Sequence, residues 1–514
     1  MRIDSERLTD ARRRTNRRTR CLAMRVLGNS HDLLITTILR LRYQDGKEPR
    51  DSKYQDTLIS KLSISRLLGP RSPTRVLSRS TLVLTVLSGV LLFDLFTGGP
   101  CVRLLIPLVD YALPVLNEPD FGRSVEELVR SRGFEFETHE VTTKDGYIIE
   151  MHRVYHKKFS NSVRPALMLG LPLFCTSAIT VVDYRNNTAA YLFADAGYDV
   201  WLMNVRGNRF GRRHVFLDPV KDKLAFYDFT HLDIAEFDFP MQIDYVIQYT
   251  GQTKVYLTGV SQGAAAAFAL LSKRPEYNSK VHAIASYGGF RSLCFSSNVG
   301  VVVFSKLAWP LSDLLLNIEY LAALFLSFSP VGRLCARAGN FCGTLMTYVG
   351  FKSDHYFNVS RFALYLEHVP AGTSLKTFVY YAQTRQTGCD GSVRDYDYDQ
   401  GALTSLLISL GWKESMNVKK YGTPEPPLLD AKNIQVPIKI YYSDGDDFVP
   451  FKEVQRMAKD IGIPSSNLHR IADDRFSHVN FVFNKDRKDF IVHAIDFFQG
   501  GNASWPEDLE KLRA

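Results

Sequence analysis

Cysteine is scarce in this sequence, and its spacing is not that of a metal site. The 514 residues include only 7 cysteines, namely Cys21, Cys101, Cys175, Cys294, Cys335, Cys342 and Cys389. None of the intervals matches a zinc-ligand pattern, so no metal centre or other cofactor is expected, and an odd count does not by itself require an oxidising compartment. Cys335 and Cys342 are close enough in sequence for a local disulfide, but no other feature supports that bridge.

Excess positive charge is missing from most of the chain. Residues 1–80 carry 19 Lys and Arg against 8 Asp and Glu, whereas the other 434 residues carry 44 against 46. The formal net charge of +9 therefore comes from the N-terminal residues. A main body without excess positive charge argues against nucleic acid as a partner. The basic arm (1–79), with the run ARRRTNRRTR, fits either attraction to an anionic membrane surface or a disordered cytosolic tail.

Early hydrophobic residues are also few, and a cleaved signal peptide is not expected, because about 80 residues precede the most apolar segment. That segment, residues 80–116, follows three arginines between positions 71 and 79. Its first part approaches the roughly 17 residues that a membrane-spanning helix needs, and the arginines would keep the N-terminus cytosolic. The tripeptide GGP at 98–100 would instead allow a monotopic hairpin, as in a lipid-droplet protein, and a core helix is the third interpretation.

Downstream of residue 120, short apolar runs alternate with helix-like stretches. The runs are ALMLGLPLF (166–174), YDVWLMNV (198–205), KVYLTG (254–259), HAIASYG (282–288) and PIKIYYSDG (437–445). None of them alternates cleanly between apolar and polar residues, which is typical of strands buried on both faces. The pattern predicts an α/β domain with a mostly parallel central sheet.

One serine stands between two glycines, at Gly259-x-Ser261-x-Gly263. The motif alone is weak, because it would occur by chance in about one in six chains of this length. Its context is more specific: Ser261 follows a predicted strand and precedes the helix-like run AAAAFALL, which is where a nucleophilic serine on a tight turn is found. A serine in this role needs a histidine to accept its proton and a carboxylate to orient that histidine.

The carboxylate is expected after the serine and just beyond a strand. The run YYSDGDDFVP (441–450) offers three acids there, Asp444, Asp446 and Asp447. Asp446 is preferred, because it lies four residues before Pro450 in an Asp-x-x-Val-Pro pattern. The other two acids fit ordinary turn positions.

Three histidines follow this acid in the sequence. His469 lies in the strand-like run LHRIA, and His493 lies in the helix-like run FIVHAIDFF, where a structural role is expected. His478 lies in the loop DDRFSH before that last helix, which leaves it free to approach Ser261. His478 is therefore the predicted general base.

Four longer strings now resemble the acid lipase family of α/β-hydrolases, which includes gastric lipase, lysosomal acid lipase and membrane-anchored steryl ester hydrolases. They are THEVTTKDGYIIEMHRV (138–154), FADAGYDVWLMNVRGNRFGRRH (193–214), FYDFTHLDIAEFDFPMQIDYV (226–246) and HVPAGTSLKTFVYYAQ (368–383). The resemblance covers about residues 122–500, and it supports Asp446 through the ungapped stretch from that acid to Val454. It implies an α/β-hydrolase fold with a helical cap inserted at about 290–410.

The resemblance also implies an oxyanion hole formed by the backbone N–H groups of Leu173 and Gln262. Such donors stabilise the charge that develops on the substrate carbonyl oxygen, by about 3–4 kcal/mol each. The chain departs from the family at two places: it has Leu171-Pro172 where relatives have His-Gly, and Val260 where they have His. Proline has no N–H and a restricted φ, so this loop is expected to bend differently from the loop of the relatives.

These features predict a membrane-associated lipase domain (118–500) behind the basic arm and the apolar segment, with a short C-terminal tail (501–514). Its substrates would be neutral lipids with long acyl chains, such as triacylglycerols or steryl esters, met at a membrane or lipid-droplet surface. A catalytically silent protein that binds lipid or a partner, and an acyltransferase using the same serine, are the alternatives. The sequence does not indicate the oligomeric state.

Overall fold

The computed structural model describes residues 119–159, 162–306, 355–358 and 361–500. The basic arm, the apolar segment 80–116 and the C-terminal tail lie outside the described residues, so the predictions for them stay predictions. The central part of the cap insertion, with Cys335 and Cys342, also lies outside them. Within the described ranges, no helix is both long enough and apolar enough to cross a membrane.

Nine strands form a single sheet within the described residues. They are β1 (Glu135–Thr142), β2 (Tyr147–Tyr155), β3 (Ala166–Gly170), β4 (Asp199–Leu202), β5 (Arg213–His214), β6 (Val255–Val260), β7 (Val281–Tyr287), β8 (Ile438–Ser443) and β9 (Leu468–Ile471). Their order is β1-β2-β4-β3-β6-β7-β8-β9, with β5 paired to β2. The strands from β4 to β9 along this order are parallel, and β1 and β2 are antiparallel.

Helices connect the parallel strands and cover both faces of the sheet. They are α1 (Val125–Ser131), α2 (Ala189–Asp195), α3 (Lys223–Phe226), α4 (His231–Asp233), α5 (Phe239–Thr250), α6 (Gln262–Lys273), α7 (Phe362–His368), α8 (Leu375–Thr387), α9 (Ala402–Ser409), α10 (Met416–Tyr421), α11 (Phe451–Ile461) and α12 (Asp489–Phe498). A π-helical turn, Ile234–Asp238, joins α4 to α5. The predicted α/β fold with a mostly parallel sheet is confirmed.

The strands lack polar alternation because both of their faces are buried. All five residues of β3 are buried. Met168 packs in the core on one side of the sheet, whereas Leu167 and Leu169 pack in the core on the other side. Both cores are apolar, so a polar residue on either face would lose its hydration without gaining a partner.

A buried arginine ties the loop after β4 to the β1–β2 hairpin and to α5. The Arg206 guanidinium donates to Asp238 at 2.8 Å and to Asp145, and it lies 4.2 Å from the ring centre of Tyr147. Burial alone would lower the pKa of Arg206, but the two carboxylates raise it. The cation is therefore fully paired inside the domain, and the loop that carries it is fixed.

The structure contains a disulfide that the sequence did not indicate. Cys294 is bonded to Cys389, 95 residues further along the chain. The first cysteine precedes the part of the cap insertion that is not described, and the second follows α8. The bond therefore joins two described segments on either side of that part of the predicted insertion, whereas Cys175 is a free, buried thiol.

Two buried histidines are held in the neutral form by their surroundings. Burial, with a smaller contribution from Lys273, lowers the pKa of His231 to about 3. Burial and the charge of Arg209 lower the pKa of His368 to about 4. Both rings lie in regions where an imidazolium would be poorly solvated.

We expect the folded domain to lose stability as the pH falls from about 6.5 towards 4. In this window the unfolded chain binds protons at histidines with a pKa near 6.5, whereas folded His231 and His368 stay neutral, so protonation favours unfolding. Thermal unfolding of the full chain across this range should show a midpoint that falls with pH. His231→Gln and His368→Gln should each make the slope shallower, and slopes unchanged from wild type would contradict this explanation.

Candidate active site

Ser261 lies on a strained turn between β6 and α6. Its backbone has φ 52° and ψ −114°, and Phe174 is the other non-glycine residue with positive φ among those described. Such a conformation costs on the order of 1–3 kcal/mol, so the surrounding structure must impose it. The Ser261 N–H donates to the carbonyl of Tyr287 at the end of the neighbouring strand, at 2.9 Å.

The two glycines of the motif are required by close backbone packing. A Cβ atom on Gly263 would lie 2.3 Å from the carbonyl carbon of Gly170, at the end of β3, and one on Gly259 would lie 2.4 Å from the nitrogen of Ala264. Both distances are far below van der Waals contact with backbone atoms that cannot move away. Glycine therefore allows α6 to start directly against the strand ends.

Ser261, His478 and Asp446 form one chain of hydrogen bonds. The Oγ of Ser261 lies 2.9 Å from Nε2 of His478, and Nδ1 of His478 lies 2.8 Å from Oδ2 of Asp446. The second carboxylate oxygen of Asp446 accepts from the backbone N–H groups of Phe448 and Val449, and its side chain is fully buried. The structure thus brings together the three residues selected from the sequence, in the geometry that proton transfer from the serine requires.

The rejected carboxylates have other contacts. Asp444 pairs with the exposed guanidinium of Arg470 at 2.8–2.9 Å. The backbone carbonyl of Asp447 accepts from the N–H groups of Ser297 and Asn298. Neither acid is bonded to His478, and their positions fit the turn roles expected for them.

The rejected histidines lie away from the serine, where their rings contact each other. The ring centres of His469 and His493 are 4.3 Å apart, between β9 and α12. The ring of His478 instead stacks on Phe448, with centres 4.7 Å apart. A Cβ atom on Gly288 would come within 3.1 Å of the His478 ring, so the chain beyond β7 also borders the imidazole.

The predicted oxyanion donors lie where β3 and α6 meet. Leu173 follows the end of β3, and Gln262 is the first residue of α6. The contact between Gly170 and Gly263 brings these two segments side by side, and Leu173 lines the same cavity as Ser261. Neither N–H has a hydrogen-bond acceptor among the residues that the structure describes, so both are available to a ligand.

Two asparagines that sequence reasoning missed hold the loop after Leu173. Asn204 accepts from the N–H of Ser177 at 2.9 Å and donates to its hydroxyl at 3.0 Å. Asn208 donates to the carbonyl of Cys175 at 3.1 Å. Their signal in the sequence is the run NVRGN directly after a strand, at the sheet edge where such sites form.

A tyrosine of the cap also contacts the serine turn. The hydroxyl of Tyr381, on α8, donates to Oε1 of Gln262 at 2.8 Å, and both side chains are buried. The side chain of the residue after the serine is therefore fixed by the cap. The sequence could not indicate this pair, because 119 residues separate its members.

Ser261 and His478 line a largely apolar cavity of about 510 Å³. Its other walls come from the loop after β3, from the segment 293–304 after β7, from α8 and from the segment after His478; they include Leu293, Phe304, Phe378, Val479 and Phe483. This volume lies within the usual range for ligand pockets, and apolar walls favour an apolar ligand. Within the described ranges, no cluster of three His, Cys, Asp or Glu residues could hold a metal ion.

The start of the cap is attached to α11 by a buried carboxylate. Glu453 accepts from the hydroxyl of Ser292 and, at 2.9 Å, from the N–H of Phe295. The pKa of Glu453 is raised, because the effect of burial exceeds the opposite effect of these two hydrogen bonds. Glu453 therefore holds the chain on both sides of Cys294, next to the disulfide.

Two family models match this part of the chain. The first, a partial alpha/beta-hydrolase lipase region, matches residues 125–182, and the second, the alpha/beta hydrolase fold, matches residues 173–316. The first spans the β1–β2 hairpin and the oxyanion loop, and the second includes Ser261.

The chain is similar to several lipases, and the similarity extends over most of the length of each. Lipase 1 of Drosophila melanogaster is 31% identical over 381 residues, which cover 71% of this chain and 77% of that protein. Gastric triacylglycerol lipase of Mus musculus is 27% identical and covers 73% and 91%. Lipase member K of Homo sapiens is also 27% identical and covers 72% and 88%.

Asp446→Asn should lower kcat by about 10⁴-fold, since the amide no longer holds His478 in the required tautomer. Asp444→Asn is the matched control, because it removes a carboxylate from the same loop that contacts Arg470 and not His478. Turnover of a soluble p-nitrophenyl ester by both full-length variants would measure the difference. An equal loss in the two variants would mean that the loop, and not the acid–histidine bond, matters.

Proposed function

This chain belongs to the acid lipase family of α/β-hydrolases, and we propose that it is a membrane-associated lipase that cleaves long-chain acyl esters through an acyl-serine intermediate. It is a carboxylic ester hydrolase by family. The chain of hydrogen bonds from Asp446 through His478 to Ser261, in the wall of an apolar cavity, is the observation that supports this function best.

The first half of the reaction forms the acyl-enzyme. Ser261 Oγ attacks the ester carbonyl while Nε2 of His478 takes the hydroxyl proton, and Asp446 stabilises the resulting imidazolium. The N–H groups of Leu173 and Gln262 stabilise the negative oxygen of the tetrahedral intermediate. When this intermediate collapses, the C–O bond to the alcohol breaks, and His478 returns the proton to the leaving alcohol.

The second half releases the fatty acid. A water molecule gives a proton to His478 and attacks the acyl carbonyl, and the same donors stabilise the second tetrahedral intermediate. Its collapse breaks the bond to Ser261, which recovers its proton from His478. The residues return to their starting state, and no external oxidant or reductant is needed.

The substrate class follows from the cavity and the relatives together. The walls are mostly Phe, Leu and Val, with a few polar residues, and they match a long acyl chain, each buried methylene of which contributes about 0.8 kcal/mol. Three of the relatives, from Mus musculus, Rattus norvegicus and Bos taurus, are named as gastric triacylglycerol lipases. Triacylglycerols and steryl esters both carry such chains, and both are proposed substrates.

We place the catalytic domain on the side of the membrane opposite the basic arm. Arginines between 71 and 79 would hold the N-terminus in the cytosol if residues 80–116 span the membrane. The bond between Cys294 and Cys389 supports this orientation, because disulfides persist in oxidising compartments and are rare in the cytosol. A monotopic hairpin would instead leave the domain on the cytosolic face or on a lipid droplet.

A fluorophosphonate probe should label the full-length protein at Ser261, and Ser261→Ala should abolish the labelling while leaving thermal unfolding unchanged. The labelled enzyme should release oleate from trioleoylglycerol or cholesteryl oleate. A folded sample that is not labelled would favour a silent lipid-binding protein. Transfer of the acyl group to an added alcohol in preference to water would favour an acyltransferase.

Residues 120–500 should resist added protease in sealed microsomes and become sensitive once detergent opens the membrane. Without reducing agent, alkylation should leave Cys294 and Cys389 unmodified; after reduction and unfolding, both should be alkylated. Digestion of the domain in intact microsomes would show that it faces the cytosol and would support the hairpin.

A further inference from the structure

Helix α9 turns apolar side chains towards solvent. Leu403, Leu406 and Leu410 are 56%, 53% and 51% exposed. Their spacing of three and four residues places them on one face of the helix, so they form a continuous stripe. Trp412, just after the helix, is 76% exposed. We call these four residues the leucine stripe.

Helix α9 exposes more large apolar side chains than an ordinary surface helix does, although Leu407 and Ile408 are half-buried. Thr404 is buried, and its hydroxyl accepts from the Lys413 ammonium at 3.0 Å. The stripe, which would normally face the core, instead points outward. Contiguous apolar patches of this kind on a soluble surface mark a site of interaction.

The stripe is carried by an ordered platform. Asp399 accepts from the Met416 N–H at 2.7 Å and also from the Ser415 hydroxyl. The backbone N–H of Trp412 donates to the Leu407 carbonyl at 2.9 Å, which closes the turn after α9. The outward position of the leucines is thus part of the folded structure.

This platform is connected to the cap helix over the cavity. The Gln383 side chain, on α8, donates to the Asp397 carbonyl at 2.8 Å and accepts from the Asp397 N–H at 3.0 Å. Asp397 in turn accepts from Asn417 at 2.7 Å. Phe378 and Tyr381, on the same helix as Gln383, line the cavity that contains Ser261. The segment that carries the stripe is therefore hydrogen-bonded, through Asn417 and Asp397, to the helix that forms a wall of the cavity.

In the segment that carries the stripe, residues 403–420, the charges are mostly positive, although Glu414 pairs with Lys419 at 3.1 Å and Asp399 lies beside the segment. Between 403 and 420 the chain has three lysines, Lys413, Lys419 and Lys420, and one acid, Glu414. All four side chains are exposed. Exposed leucines and a tryptophan bordered by lysines are the composition of helices that lie in the plane of a lipid surface, where the rings and leucines enter the acyl boundary and the lysines contact phosphates.

We propose that the leucine stripe docks the catalytic domain on a phospholipid surface and places the cap over the lipid from which the substrate is drawn. This inference rests on the proposed function, and it adds a second lipid contact to the apolar segment 80–116. The stripe binds the surface from outside, with its lysines towards the headgroups.

Fluorescence of Trp412 would test this contact in the full-length protein. The protein is reconstituted in vesicles of phosphatidylcholine and phosphatidylserine whose acyl chains carry bromine, a quencher of tryptophan. The Trp412 signal is the difference between the emission spectrum of the wild-type protein and that of the Trp412→Phe variant. We expect this signal to be blue-shifted and quenched by the brominated lipid, and to become water-like and unquenched when Leu403, Leu406 and Leu410 are all changed to glutamine.

Glutamine has nearly the helix propensity of leucine, so the triple variant removes the apolar stripe without removing the helix. We expect its turnover of emulsified trioleoylglycerol to fall about tenfold, the change that loss of about 1.4 kcal/mol of surface binding produces. Val163→Gln is the control, because Val163 is 94% exposed and precedes β3, at the sheet edge opposite the catalytic residues. It should leave emulsion turnover unchanged.

A soluble short-chain ester separates failure of this inference from failure of the proposed function. Wild type and triple variant should cleave it equally, because that substrate needs no surface. If wild type cleaves no ester, the proposed function is wrong, and the quenching still reports on docking. A Trp412 signal that stays unquenched in wild-type vesicles would overturn the docking proposal, as would a concentration-dependent dimer that the triple variant abolishes.

Discussion

The contact between the end of β3 and the start of α6 is the constraint on which the site depends. Gly170 and Gly263 approach so closely that no side chain fits between them. Between these two segments Ser261 has a positive φ, and its hydroxyl lies within hydrogen-bond distance of His478. The same contact brings the loop that carries Leu173 to the start of α6, where Gln262 lies. Nucleophile and predicted oxyanion donors therefore lie around one backbone contact, and the strain at Ser261 is offset by the burial of the strands around it.

Around this contact, several interactions attach the cap to the sheet. Tyr381 bonds to Gln262 from α8, Glu453 holds the chain at Ser292 and Phe295, and a disulfide joins Cys294 to Cys389. Each of them links segments far apart in sequence. The cap therefore contributes residues to the site. Gln383 connects α8 to the segment that carries the leucine stripe, and the stripe lies on the outer surface.

Much of the fold and of the candidate site could be predicted from sequence, because the signals were local. Strands buried on both faces appear as unbroken apolar runs, and all five predicted runs contain a parallel strand. Ser261, Asp446 and His478 were selected from short patterns and from their order, and they lie within hydrogen-bond distance. Partners brought together only by folding were missed. Asn204 and Asn208 gave at most the signal of a polar run after a strand, and nothing near Cys294 indicated Cys389 as its partner.

The sequence by itself determined the α/β architecture and the identities of the predicted catalytic residues, since strand burial and turn chemistry depend on neighbours within a few positions. Only the tertiary structure decided which cysteines pair, which residues of the loop after β4 hold the loop after β3, and which face of α9 is exposed. Such choices depend on distances between segments tens to hundreds of residues apart, and the order of residues along the chain does not contain those distances.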